Sequence, residues 1–527
     1  MSDDLLDLPE GWKLVKLEDI LSIKSGEAFK KKDYSLSGIK LLQIANVSFG
    51  KVIWEQQNFL PEDFLYKYPD LVLNVNDVVM ALNRPIINDN LKIALLNESD
   101  APAILYQRVA SFNLSVKDMR KYFFYYANSP SFIKLIYNNL QGTDQPYINT
   151  STLPNLPIPL PPLNEQKRIV AKIEELSDRS QAAQKALETI PQLCDRFRQS
   201  VLAAAFRGDL TADWREKNPD VEPASVLLER IKKERCEKWE NEELKKFKAS
   251  GKIPKDDKWK EKYKEPQELE KIDNVELSEL PDGWLWMSAD KCTSWITDGE
   301  HATPERSDSG VYLLSARNVL DGKISLQKVD FISEQVHKKL EERLKIESGD
   351  VFLSCSGTVG RSCVVPPDLK CSLVRSVAVL KPLFNMGEYL SLAIRSPCIQ
   401  AQIEGKKTQT AQSNIFQGRI KILAIPVAPL NEQKQIVSLI EKYFKIIETI
   451  EKQHQQATEK LERLNQSILS KAFRGELVPQ DIEDEPASVL LERIRAEREK
   501  LNNNKPKSTS KRKSKTPKQQ GTIPGLE

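Results

Sequence analysis

The chain writes one passage twice: residues 161–170 read PPLNEQKRIV and residues 428–437 read APLNEQKQIV. This pair belongs to a longer repeat that keeps its order along all 527 residues. LPEGW at 8–12 is answered by LPDGW at 280–284, and GIKLLQIANVSFGK at 38–51 by GVYLLSARNVLDGK at 310–323. NDVVMAL at 76–82 matches GDVFLSC at 349–355, QRVASF at 107–112 loosely matches RSVAVL at 375–380, and NSP at 128–130 matches RSP at 395–397. RQSVLAAAFRGDL at 198–210 pairs with NQSILSKAFRGEL at 465–477, while EPASVLLERI stands verbatim at 222–231 and 485–494. A chain of this length outgrows a single core, and the repeat says how it divides. Each half runs from a globular segment through a long helix into a charged segment.

The globular segments read as mixed α/β. Short aliphatic and β-branched runs such as GIKLLQIANV and DVVMAL are bounded by Gly, Asn and Asp, as strands are. A helical stretch at 119–140 breaks at Pro130, and the proline-rich LPNLPIPLPPL at 153–163 forces extended chain before the long helix.

In that helix Asn164 is the expected N-cap and Glu165 a first-turn carboxylate favoured by the helix dipole. Apolar or small residues then recur at three- and four-residue spacing from Ile169, Ile173, Leu176 and Ser180 to Ala204, and 267 positions later from Ile436 to Lys471. A seven-residue period held in one register in both copies predicts two helices packed along one seam, although two unrelated buried helices would share some of the pattern. Pro191 should kink the first copy. A head that follows the first helix and precedes the second makes the pair antiparallel, a pseudo-two-fold arrangement with the heads at opposite ends.

The heads are the divergent part of the repeat, so they are expected to hold two different ligands at a set spacing. Duplex DNA, with half-sites spaced by about 34 Å or its multiples, suits that arrangement. The net charge is only +3, and the seven Lys and Arg of KPKSTSKRKSKTPK at 505–518 leave the rest of the chain at −4. A polyanion must therefore be met by local basic loops. The tail itself is expected to be disordered, either a solvated terminus or a weak nucleic-acid contact. Head one offers Lys30, Lys31, Lys32, Arg84, Arg108, Gln145 and Tyr147. Head two offers His301, Thr303, Arg306, Arg361, Arg375, Lys406, Lys407, Gln409 and Gln412. Arg and Lys neutralise phosphates or fork onto guanine, and Gln pairs with the adenine edge. Each residue alone fits a solvated surface equally well; loops that carry several together point to DNA.

No catalytic motif is present. SGTVGRS at 356–362 contains glycines but lacks the lysine and spacing of a phosphate loop, no G-x-G-x-x-G follows a strand, and PDLK at 367–370 is a lone fragment of a nuclease pattern. His301 has no named partner for acid–base work. Seven cysteines without a C-x-x-C pair and three histidines offer no zinc spacing. No apolar run is long enough to span a bilayer, and the acidic opening MSDDLLDLPEGW lacks a signal-peptide core, so a cytoplasmic location without membrane contact is expected.

Taken together, the doubled LNEQK helix openings, the AFRGDL and AFRGEL endings, the two EPASVLLERI segments and DGEHATPERSDSGVYLLSARNV at 298–319 resemble the specificity (S) subunits of type I restriction-modification systems. That resemblance implies two α/β target recognition domains, 1–160 and 280–427, separated by spacer helices at 161–210 and 428–477 that form an antiparallel coiled coil. A charged helical linker at 211–279, then a charged helix and tail at 478–527, complete the division. It also implies a subunit with no catalytic residues, metal or cofactor of its own, which reads a split, asymmetric double-stranded DNA target. Two modification (M) subunits would bring S-adenosylmethionine and two restriction (R) subunits ATP and Mg²⁺. The alternative left open is a non-enzymatic coiled-coil scaffold joining two protein-binding heads.

Overall fold

The structure is a computed structural model and describes residues 8–251, 254, 256–266, 269, 277–406 and 414–503. The basic run at 505–518 lies outside them. The chain forms two compact units, Met1–Leu187 with Gln456–Glu527, and Glu188–Gln455. Among the described residues, five helices of 17 residues or more lie outside the heads: α1 (Leu163–Glu188), α2 (Ile190–Arg207), α3 (Ala224–Ala249), α4 (Leu430–Ala472) and α5 (Ala487–Asn503).

Head one is closed by an antiparallel pair, Lys13–Lys16 against Pro157–Leu160, with Lys13 opposite Leu160. Its central four-stranded antiparallel sheet runs Leu21–Ser25, Val109–Leu114, Val78–Ala81, Ile93–Leu95. Val78–Ala81 is buried along its whole length, which is why it reads as a continuous apolar run. A second sheet sets Ile39–Leu42 parallel to Ala103–Leu105. Helices Arg120–Ala127 and Pro130–Asn138 meet at Pro130, where the Ser129 Oγ accepts the Phe132 N–H as an N-cap.

Head two repeats this topology despite its different sequence. Leu285–Ser288 pairs with Ala424–Val427, and the central sheet runs Thr293–Asp298, Val377–Pro382, Val351–Ser354, Ser362–Val364. Val311–Leu314 lies parallel to Cys371–Leu373, matching the parallel pair of head one.

The doubled motifs meet at one joint in each unit. In the first unit, Trp12 Nε1 donates to Glu165 Oε2 at 2.9 Å, the Ala487 N–H donates to the Gly11 carbonyl at 2.9 Å, and the Tyr122 hydroxyl donates to the Pro159 carbonyl at 2.7 Å. The second unit repeats them with Trp284 on Glu432 at 2.9 Å, Ala224 on Gly283 at 2.8 Å and Tyr389 on Pro426 at 2.8 Å. At Gly475 (φ +76°) a Cβ would sit 2.3 Å from Pro9 Cγ, and at Gly208 (φ +86°) 2.3 Å from Pro281 Cγ. Glycine is thus required twice over, by its left-handed backbone and by a proline packed on it. The ending of each half's helix, AFRG, therefore seals the opening LP-x-GW of the other half's head. The bonds and glycine contacts shared by both joints explain why these passages are written twice.

Within the second unit, α2 and α4 run antiparallel. Phe197 meets Tyr443 edge-on at 6.0 Å, Arg198 pairs with Glu451 at 2.7 Å, and Val201 to Phe206 share a core with Ile436 and Ile440. In the first unit, Ile169 and Ile173 of α1 share a core with Ile468 and Ala472 of α4 and with α5.

Two expectations need correction. Asn164 is no N-cap: α1 begins at Leu163, the Gln166 N–H donates to the Pro162 carbonyl at 2.9 Å, and Asn164 is an exposed first-turn residue. The preceding prolines set the entry backbone without needing a side-chain cap. The seam is not buried throughout, since Ile436, Ile440 and Ile468 are buried while Ala183, Phe197, Ile450 and Leu464 are exposed. It is sealed where a head adds a third layer, because two helices alone cover each other only in part. In the charged segment between the halves, Trp239 of α3 stacks on Trp259 at 5.8 Å. The break at Pro191 falls where expected, between α1 and α2, whereas α4 continues unbroken for 43 residues. Among the described residues no helix is long and apolar enough to cross a membrane.

Candidate nucleic-acid interface

In head one, backbone hydrogen bonds gather the candidate loops at one end of the central sheet. The Leu82 N–H donates to the Arg108 carbonyl at 2.9 Å, the Ile148 N–H to the Leu82 carbonyl at 2.9 Å, and the Arg84 N–H to the Pro146 carbonyl at 2.6 Å. Arg84, Arg108, Gln145 and Tyr147 thereby share one surface. The Gln107 N–H donates to the Glu27 carbonyl at 3.0 Å and brings in the segment that carries Lys30, Lys31 and Lys32. This approach is close enough that a Cβ on Gly26 would lie 2.3 Å from the Leu105 carbonyl oxygen.

Arg84 (φ +44°) and Arg108 (φ +62°) are both exposed and both left-handed. Non-glycine residues pay for that conformation with strain, which persists where the surrounding backbone over-determines it, often at functional sites. Lys92 is half-buried beside them; its Nζ donates to the Ile44 carbonyl at 3.0 Å, and burial and the Arg84 guanidinium push its pKa down. Among the described residues no carboxylate pairs with Arg84, Arg108 or the three lysines. Positive charge fixed by backbone and left without acidic partners is suited to phosphate or a guanine edge.

Head two repeats this backbone network with different side chains. The Cys355 N–H donates to the Ser376 carbonyl at 2.8 Å, the Ile415 N–H to the Cys355 carbonyl at 3.0 Å, and the Arg375 N–H to the Glu300 carbonyl at 2.9 Å. Matching bonds place Ser376 where head one has Arg108, and Arg375 where it has Gln107. Arg375, His301, Ser356, Asn414, Phe416 and Gln417 line a cleft of about 270 Å³. His301 Nε2 lies 3.0 Å from Asp298 Oδ2, so its partner is a carboxylate at the cleft wall. Thr303 is exposed on the same loop, and Arg306 is drawn 3.4 Å from Asp330 Oδ2, which Arg317 also holds at 2.8 Å.

Arg361 ends a tight turn between Val351–Ser354 and Ser362–Val364, with its N–H on the Ser354 Oγ at 3.0 Å. Because a strand and not a helix follows, SGTVGRS is a hairpin turn and lacks the helix N-terminus a phosphate loop uses. PDLK is likewise a turn, its Lys370 paired with Glu334 at 2.6 Å. Lys406 closes the helix Pro397–Lys406, while Lys407, Gln409 and Gln412 lie outside the described residues. Sequence reading passed over Gln107, Lys92 and Phe416. The QRV–RSV alignment held the signal for Gln107, since it sets that residue opposite Arg375. Among the described residues no group of three His, Cys, Asp or Glu could hold a metal ion.

The model of the type I restriction modification DNA specificity domain matches residues 9–192 and 305–459. The chain belongs to that family. It is 27% identical over 509 residues to the EcoBI specificity subunit of Escherichia coli, covering 94% of each chain. It is also 43% identical over 202 residues to the MjaVIII specificity subunit of Methanocaldococcus jannaschii, across 38% of this chain and 48% of that relative. Among solved structures, a chain from a study of complex assembly and conformational transition in a type I R-M system shares the fold at a TM-score of 0.60, with 20% identity, covering 89% of this chain and 99% of that one. The HsdS subunit of Thermoanaerobacter tengcongensis does so at 0.51, with 20% identity, covering 90% of this chain and 100% of that one. For a specificity subunit, two heads with one backbone network and unlike side chains are what separate half-sites require.

Proposed function

We propose that this chain is the DNA specificity subunit of a type I restriction-modification complex and reads a split, asymmetric target. Head one (1–160) reads one half and head two (280–427) the other. The observation that carries this reading is the shared backbone network, which presents Arg84 and Arg108 in one head and Arg375 and His301 in the other. Lys30, Lys31 and Lys32 neutralise phosphates beside head one, and Tyr147, Gln145, Thr303, Arg306 and Arg361 border the reading surfaces.

In this reading the helices at 161–210 and 428–477 form an antiparallel coiled coil that measures the unspecified spacer. The antiparallel contacts of α2 with α4 support it. The subunit performs no chemistry. It docks two M subunits, which carry S-adenosylmethionine and methylate adenine, and two R subunits, which use ATP and Mg²⁺, and it works in the cytoplasm. Base contacts here would hold the duplex in register while the target base is extruded into a partner's pocket.

The test is to express the chain with its modification partner and map modified adenines by single-molecule sequencing. An interrupted motif with two different halves is expected. Marks at unrelated single sites would overturn the reading.

A further inference from the structure

Phe416 lines the cleft of head two together with Arg375, His301, Asn414 and Gln417, and it is 63% exposed. Its backbone is held on both sides. The Ile415 N–H donates to the Cys355 carbonyl at 3.0 Å, and the Phe416 carbonyl accepts from the Arg419 N–H at 2.8 Å and the Ile420 N–H at 3.1 Å as the helix Gln417–Lys421 begins. The Gln417 side-chain amide donates to the Ile296 carbonyl of the central sheet. Ile415 is buried in the core of the head, and extended chain turns successive side chains to opposite faces, so Asn414 and Phe416 both turn from the core toward the cleft. Phe416 is therefore a ring on a fixed backbone in the same cleft as Arg375, not one hydrophobe scattered on a surface.

Head one builds the same frame with its side chains exchanged. The Ile148 N–H donates to the Leu82 carbonyl at 2.9 Å, Ile148 is buried, and the residues that flank it are Tyr147 and Asn149. Aromatic then amide in head one becomes amide then aromatic in head two. Tyr147 also keeps a hydroxyl that can donate or accept, whereas Phe416 offers neither donor nor acceptor. One frame with unlike chemistry at two matched positions is what two heads need in order to read different bases. The apolar feature on a major-groove base edge is the C5-methyl of thymine, which a phenylalanine ring can meet, and the same groove presents the guanine edge onto which an arginine forks.

We propose that Phe416 is a specificity-determining residue that reads a thymine methyl in the half-site of head two. This rests on head two being a DNA reader. Once the target is mapped, the assembled methyltransferase complex is titrated with target duplexes in which each thymine is replaced in turn by uracil, which removes only that methyl. Wild-type protein should lose about fourfold in affinity at one thymine, the worth of one buried methyl. That thymine should lie in the half whose recognition Arg375→Ala weakens, because both residues line one cleft. Phe416→Ala should lose at least as much on the all-thymine duplex, lose nothing further on that uracil duplex, and keep its uracil losses in the other half. Phe416→Leu, which keeps an apolar side chain, should retain the discrimination.

Equal uracil losses in wild type and Phe416→Ala, no uracil loss in wild type within that half, or unchanged affinity of Phe416→Ala for the all-thymine duplex would each overturn the assignment. A ring that stacks on a base face instead of meeting a methyl gives the first of these results. Because the backbone bonds at Phe416 do not use its side chain, the variant is expected to fold, and its retained losses in the other half report that it has. Failure of the underlying reading shows differently, as the absence of a split target or as unchanged recognition of both halves by Arg375→Ala.

Discussion

Two buried glutamates, one per joint, occupy equivalent positions with unequal partners. Glu432 accepts from Trp284 at 2.9 Å, from the Thr211 hydroxyl at 2.6 Å and from Arg215 Nη1 at 2.5 Å. Glu165 accepts from Trp12, but its Oε1 is buried without a hydrogen bond among the described residues, and burial raises its pKa. Valine and isoleucine, Val478 and Ile482, stand where the other joint has Thr211 and Arg215. The two residues should therefore answer the same substitution differently. Glu432→Gln strands Arg215 and should cost about 1.5–3 kcal/mol, the worth of hydrogen bonds to a charged group. Glu165→Gln removes a desolvated charge, keeps an acceptor for Trp12, and should leave stability unchanged or raised at neutral pH. The pH sign follows from the raised pKa. As pH falls through the folded-state value toward the ordinary carboxylate range, the folded protein takes up a proton that the unfolded chain does not, so Glu165 stabilises progressively. Urea unfolding between neutral and mildly acidic pH should show a gain in the wild type that Glu165→Gln lacks. Parallel curves for the two proteins would contradict the account.

At the scale of elements, a loop-to-strand contact recurs in both heads. A Cβ on Gly26 would lie 2.3 Å from the Leu105 carbonyl oxygen, and one on Gly299 2.4 Å from the Val374 carbonyl oxygen. Neither neighbour is a flexible side-chain end, so Gly26→Ala and Gly299→Ala must move backbone, at about 1–3 kcal/mol each. Each should disturb base preference in its own half-site and leave the other half unchanged, which a map of modified adenines reads directly. Changes in both halves would mean that the heads are not independent readers. This contact also marks how far sequence can be read. Long helical stretches and the break beside Pro191 were legible, because duplicated apolar spacing and proline act locally. The repeat did not reveal that Trp12 and Glu165, 153 positions apart, share a hydrogen bond, nor that α1 needs no Asn164 cap. Those depend on which segments meet in space. For the proposed interface, the basic loops were legible as charge. Their convergence was not, since it runs through backbone bonds such as Leu82 to Arg108 that carry no residue signature.

For the whole molecule, the unequal helices set the sharpest test. α4 is continuous over 43 residues, about 65 Å of helix, whereas its counterpart is divided at Thr189 and Pro191. If the paired helices measure the spacer, a change of length in α4 must be read by DNA as a change of spacing and not of sequence. Four residues inserted between Ile450 and Leu461, where no head core covers the helix, add about 6 Å along its axis. At about 3.4 Å per base pair that is one to two further base pairs of spacer. The insertion also shifts the heptad register, so part of the added length can be lost to local unwinding and the change should not exceed that figure. Both joints lie outside the insertion, and with them the closing strands, the Trp12–Glu165 and Trp284–Glu432 bonds and the loops of Arg84, Arg108 and Arg375. The half-sites should accordingly persist letter for letter while the gap between them widens, with modified-adenine mapping as the measurement. Altered half-sites at an unchanged gap would mean that α4 positions loops within each head instead of setting the distance between them.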